Sequence, residues 1–86
     1  MKQLSLLEFL MEKAIVLISL QATMEQEALE SIKSIQGVQE AHFLYGPYDA
    51  YALIEAESSH QIQNIIIDHI RVVKGIRTTV TCFVAD

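Results

Sequence analysis

The feature that most constrains this chain is a pattern that occurs twice. Residues 14–20 (AIVLISL) are apolar and rich in β-branched side chains, the composition of a buried strand. Thr23 follows as an N-cap with Gln26 spaced to close a capping box, and Ala28, Leu29, Ile32 and Ile35 then share one helical face. Gly37 ends that helix, and residues 38–45 (VQEAHFLY) read as a second strand. Beyond the turn Gly46-Pro47-Tyr48-Asp49, residues 50–57 (AYALIEAE) make a hairpin with it. Ser58 and Gln61 repeat the capping box, and Ile62, Ile65, Ile66, Ile70 and Val73 repeat the apolar helix face. Gly75 repeats the stop, and residues 76–85 close the series as a fourth strand.

The order is therefore βαββαβ. It predicts a ferredoxin-like (ACT-like) α+β two-layer sandwich, with a four-stranded antiparallel sheet and both helices on one face. A chain of 86 residues is one domain. Residues 14–86 are expected to form it, preceded by an N-terminal extension over residues 1–13. So short a chain buries only about 60–65% of its unfolded surface, a thin stability margin unless subunits associate.

Helices that cover one sheet face leave the other to water unless something else covers it. Here the first strand is apolar on both sides, with Ile15 and Leu17 opposing Val16, Ile18 and Leu20. Tyr51 and Leu53 likewise oppose Ala52 and Ile54. The expectation is an isologous dimer packed sheet on sheet through Val16, Ile18, Leu20, Tyr51 and Phe83. Val80, Cys82 and Val84 are then assigned to the core. Folding of residues 1–13 over the face as a lid is the alternative, since as a helix they would span roughly 20 Å. The two are not exclusive.

Formal net charge is -5, with six Lys+Arg against eleven Asp+Glu, which argues against direct nucleic-acid binding. An RNA-recognition domain shares the βαββαβ order but wants basic and aromatic residues where this third strand reads LIEAE. The single cysteine, Cys82, excludes an internal disulfide and fits a reducing cytoplasm. His42, His60 and His69 lack metal-ligand spacing, so neither metal nor cofactor is expected. Glu8, Glu12 and Lys13 interrupt the leucine-rich start, and the apolar run 14–18 is too short to span a bilayer. No nucleophile–base pair or paired carboxylate is brought together by this order of elements, so no catalytic residue is assigned. A small ferredoxin-like dimeric enzyme is the weaker reading. Arg71 and Arg77 are expected to pair with acidic neighbours.

Gly46, Tyr48 and Asp49 in the turn, Ile70-Arg71, Gly75-Ile76, and the Thr79-x-Thr81 strand occur together in one order and spacing. In these features the chain resembles the effector-binding domain of Lrp/AsnC transcription regulators, the domain for regulation of amino acid metabolism, across residues 14–85. The resemblance implies dimers formed through the sheets and assembled further into rings. It also implies a small effector, typically an amino acid, held between subunits. Gly46, Pro47, Tyr48, Asp49, Thr79 and Thr81 would line that cleft. Full-length regulators place a helix-turn-helix domain first, whereas thirteen residues precede the first strand here. The resemblance thus implies a stand-alone version that acts on transcription through self-assembly or mixed oligomers with a helix-turn-helix relative. A pure assembly partner without ligand is the alternative.

Overall fold

The computed structural model describes residues 10–86. Its elements are β1 (Glu12–Leu20), α1 (Glu25–Lys33), β2 (Val38–Phe43), β3 (Ala50–Ala56), α2 (Ser59–Ile65) and β4 (Ile76–Phe83). A π-helical turn, Ile66–Ile70, continues α2. The strands form one antiparallel sheet in the order β2-β3-β1-β4. This is the ferredoxin-like α+β arrangement that the doubled pattern predicts. The N-terminal extension and its lid reading fall mostly on residues 1–9, outside the described residues.

The core lies between the helices and one face of the sheet. Ala14, Val16, Ile18 and Leu20 of β1 and Ala50, Ala52, Ile54 and Ala56 of β3 are buried there. They meet Ala28, Leu29 and Ile32 of α1 and Ile62, Ile66 and Ile70 from α2 and its π turn. The alanines of β3 keep that strand thin, so isoleucines from the helices fill the space above it.

The face assignment of β1 and β4 is the reverse of the expectation. Val16 pairs with Ala52 and with Thr81, while Leu17 pairs with Tyr51 and with Val80. Directly opposed residues share a face. Val16, Ile18 and Leu20 therefore lie under the helices, and Ile15, Leu17 and Ser19 join Tyr51, Leu53, Val80 and Cys82 on the uncovered side. Phe83 pairs with Ala14 and so sits on the helix side, at the sheet edge. Cys82 is exposed rather than packed in the core. Tyr51 alone of the five expected interface residues is on the uncovered face.

Capping differs between the two helices. Ser58 Oγ accepts the Gln61 N–H at 3.1 Å, as the expected box requires, while Gln61 Oε1 reaches back to accept the Glu57 N–H at 3.0 Å, one residue before the N-cap. Thr23 makes no such cap. The N-cap of α1 is Met24, without a side-chain hydrogen bond. Glu25 and Glu27 in the first turn instead offset the positive end of the helix dipole.

Gly75 is required by the junction it forms. It has φ +102°, and an added Cβ would stand 2.9 Å from Met24 Cβ at the start of α1. Its carbonyl also accepts the Gln21 N–H at 2.8 Å, tying the end of β1 to the start of β4. Gly75→Ala is expected to cost about 1–3 kcal/mol, read as a fall in Tm of at least roughly 4 °C in thermal unfolding. Gly46 also has positive φ but meets nothing within 4 Å, so Gly46→Ala should cost less. Equal losses would show that clash at Met24 contributes nothing.

Candidate functional site

The turn and the threonine strand lie in two different places on one subunit. Asp49 lines a cleft of about 520 Å³ with Ala22, Thr23, Phe43, Leu44 and Tyr45, beside the start of α1. Thr79 and Thr81 line a separate groove of about 730 Å³ between β4 and the π-turn end of α2. Gly46, Pro47 and Tyr48 border neither space. The six residues named for an effector cleft are thus not gathered within a single chain.

Asp49 already has work within the fold. Its Oδ2 accepts the Leu20 N–H at 2.7 Å, across 29 positions of sequence. The Asp49 N–H donates to Ile18 O at 2.9 Å, and its carbonyl accepts the Leu44 N–H at 2.8 Å. The carboxylate therefore terminates β1 where the ladder to β3 runs out, because Ile18–Ala50 is the last pair. Only a long-range contact reveals this role, and nothing in the local sequence announces it.

The threonine groove is bounded by two departures from regular geometry. On the helix side, the Arg71 N–H bonds Ile66 O at 2.8 Å, an i to i+5 bond that widens the last turn. π-turns of this kind are rare and concentrate at functional sites. On the strand side, Ser19 pairs with Thr78 but Leu20 pairs with Ile76, so Arg77 is the extra residue of a β-bulge. The bulge lets Ile76 reach the core while Arg77 and Thr79 line the groove. Neither arginine forms an ion pair among the described residues, contrary to expectation. The pairs present there are Lys13–Glu55 at 3.5 Å and Glu40–His42 at 4.0 Å.

The uncovered sheet face combines apolar and polar parts. Ile15 and Val80 are 37% and 41% exposed, with Leu17 and Leu53 half-buried between them. At its β2 end the Tyr51 hydroxyl donates to Glu40 Oε1 at 2.9 Å, and the His42 ring lies 5.7 Å from that of Tyr51. The hydrogen bond to the Glu40 carboxylate raises the Tyr51 phenol above its ordinary value, because it favours the protonated form. Among the described residues, no cluster of three or more potential metal ligands occurs, and no helix is long and apolar enough to cross a membrane.

This architecture is that of small ferredoxin-like domains, and the comparisons narrow it. The chain belongs to the Lrp/AsnC ligand binding domain family, whose model matches residues 13–86. It is 35% identical over 57 residues to an uncharacterized HTH-type transcriptional regulator of Pyrococcus horikoshii, covering 66% of this chain and 38% of the relative. The chain thus spans well under half the length of that curated relative. Among solved structures, FFRP-DM1 is 27% identical with TM-score 0.80, over 86% of this chain and 99% of that one. A Neisseria meningitidis transcriptional regulator, solved in complex with L-Met, shares the fold with TM-score 0.83 at 18% identity, over 100% of this chain and 58% of that one. Family and relatives' names indicate a regulatory domain of transcription regulators rather than an enzyme.

Asp49→Ala is expected to lower Tm by roughly 6–12 °C, the effect of losing about 1.5 kcal/mol with its hold on Leu20. Asp49→Asn, which keeps an acceptor oxygen, should recover much of that. Thermal unfolding reads both, and an unchanged Tm in the alanine variant would remove the structural role.

Proposed function

We propose that this chain is an effector-binding and assembly module of a transcription regulator. In this reading subunits pair through the uncovered sheet faces, and the dimers assemble further into a ring. A small effector, of the amino acid class, then binds where the Gly46–Asp49 turn of one subunit meets the Thr79–Thr81 groove of another. The observation that carries it is the separation of those two groups on one chain. Each is half a site, and only a neighbouring copy brings the halves together.

Several features support the assembly. An uncovered face holding Ile15, Leu17, Leu53 and Val80 is larger than scattered surface apolar residues need. An 86-residue domain also gains stability by association. Amino acid class rests on the family and on the methionine complex of the Neisseria relative. Control of DNA is proposed to be indirect. It would pass through self-assembly or mixed oligomers with a helix-turn-helix relative, in the cytoplasm where such regulators act. A net charge of -5 agrees with that indirect role. A pure assembly partner without ligand is the second reading, favoured by the engagement of Asp49 within its own fold.

A thermal scan against the twenty amino acids at millimolar concentration tests the effector reading. A ligand at about 100 times its Kd adds roughly 2.7 kcal/mol, a rise on the order of 10 °C or more in so small a domain. A selective rise is expected for one side-chain class. A flat panel with assembly intact would overturn effector binding and leave the assembly partner.

A further inference from the structure

We propose that pairing through the uncovered sheet face is proton-linked: covering that face takes up a proton at His42 of each subunit, so acidification strengthens assembly. This adds a regulation to the sheet-on-sheet pairing proposed above and rests on it.

The strand register sets a polar group against the apolar centre of the face. His42 pairs with Tyr51, Tyr51 with Leu17 and Leu17 with Val80, so these four residues make one rung across the sheet. Glu40, Leu53, Ile15 and Cys82 make the next rung. Glu40 reaches its rung through an irregularity. Val38 pairs with Ile54 and Glu40 with Leu53, so Gln39 is the extra residue of a β-bulge. An unbulged β2 would set Gln39 against Leu53 and turn Glu40 and His42 to the helix side. The bulge thus brings a carboxylate to the border of an apolar face, with an imidazole two residues on and on the same side.

Glu40 has one neutral donor and one titratable neighbour there. Its Oε1 accepts the Tyr51 hydroxyl at 2.9 Å, and its Oε2 lies 4.0 Å from His42 Nε2. Tyr51 supplies a hydrogen bond but no charge. The other charged groups nearby leave Glu40 uncompensated. Lys13 pairs with Glu55 at 3.5 Å on the same face. Lys33 of α1 borders the recess beside Glu40 and His42 but forms no ion pair with Glu40 among the described residues.

In a single subunit the Glu40 and His42 side chains are 47% and 60% exposed, so water stabilises the carboxylate. A second copy laid over Leu17 and Leu53 strips part of that water. A carboxylate that loses water is costly unless an opposite charge accompanies it. His42 is the group within reach, and imidazole changes charge between about pH 5 and pH 8. Association therefore favours protonated His42, and by linkage protons favour association. That gain is present below the imidazole's range and lost as pH rises through it. Isologous pairing counts the effect twice, once for each copy. Each subunit also carries -5, so every proton taken up lowers their mutual repulsion.

Sedimentation equilibrium of the full chain from about pH 8 to about pH 6 tests this, in urea where dissociation must be brought into range. The association constant is expected to rise at least roughly tenfold on acidification, the equivalent of one pK unit at a single imidazole. His42→Gln keeps a polar side chain without the titration, and should hold association near the parent's value at the higher pH throughout. Glu40→Gln keeps an acceptor for Tyr51 without the charge. It should associate more tightly than the parent at the higher pH and lose the pH dependence. His69→Gln, a change on the π turn, should keep the parent's dependence. An association constant that is flat with pH or falls on acidification would overturn the proton link while leaving the pairing in place. So would a dependence kept in His42→Gln or Glu40→Gln, or lost in His69→Gln. A parent that is monomeric at every pH would overturn both.

Discussion

β1 and β3 occupy the middle of the sheet, and both are apolar on both sides. The helices can bury only one of those sides, and they bury Val16, Ile18 and Ile54 completely. What is left, centred on Leu17 and Leu53, is held in place by the same backbone ladder and cannot be withdrawn. Each core residue that strengthens the fold thus fixes an apolar neighbour on the far face, because strand side chains alternate. The uncovered face is a consequence of the register, and it is the reason to read the domain as an assembling one. Lys13–Glu55 and the Glu40–Tyr51–His42 cluster give that face polar borders, which would set the orientation of a second copy.

The groove and the turn depend on the same frame in different ways. Asp49 closes the end of β1 through Leu20, and one residue further along, Gln21 is tied to Gly75 at the start of β4. The bulge at Arg77 follows immediately. The loops at that end of the sheet are therefore coupled through short hydrogen bonds to the terminus of one central strand. A ligand in the groove would contact Arg77 and Thr79, both within a few residues of this junction. Binding there has a short physical route to the Gly46–Asp49 turn.

Much of this was legible in the sequence, for identifiable reasons. Strands and helices announced themselves through period, and Ser58–Gln61 through its box. Gly37 and Gly75 did so through their place after an apolar helix face. The face of β1 was not legible, because both of its sides are apolar and only the pairing with Tyr51 and Val80 decides between them. Assigning Val16, Ile18 and Leu20 outward together with Tyr51 required a register that β1 and β3 do not have. Thr23 failed as a cap because α1 begins after Met24. The bulge and the π turn were invisible for a further reason. Each is one residue of slippage set by packing, so Arg71 and Arg77 looked like ordinary surface charges. Thr79 and Thr81 were named through resemblance, and the arginines beside them were expected to pair with acidic neighbours.

Sedimentation velocity across micromolar concentrations tests the central claim most directly, that a second copy covers the Leu17 face. The parent chain should sediment as a dimer or a larger even assembly of the 9.7 kDa subunit. Leu17→Asp should fall to the monomer, while Val72→Asp, a change at an exposed apolar residue away from that face, should not. A parent that stays monomeric throughout, or a Leu17→Asp variant that assembles as the parent does, would contradict the claim.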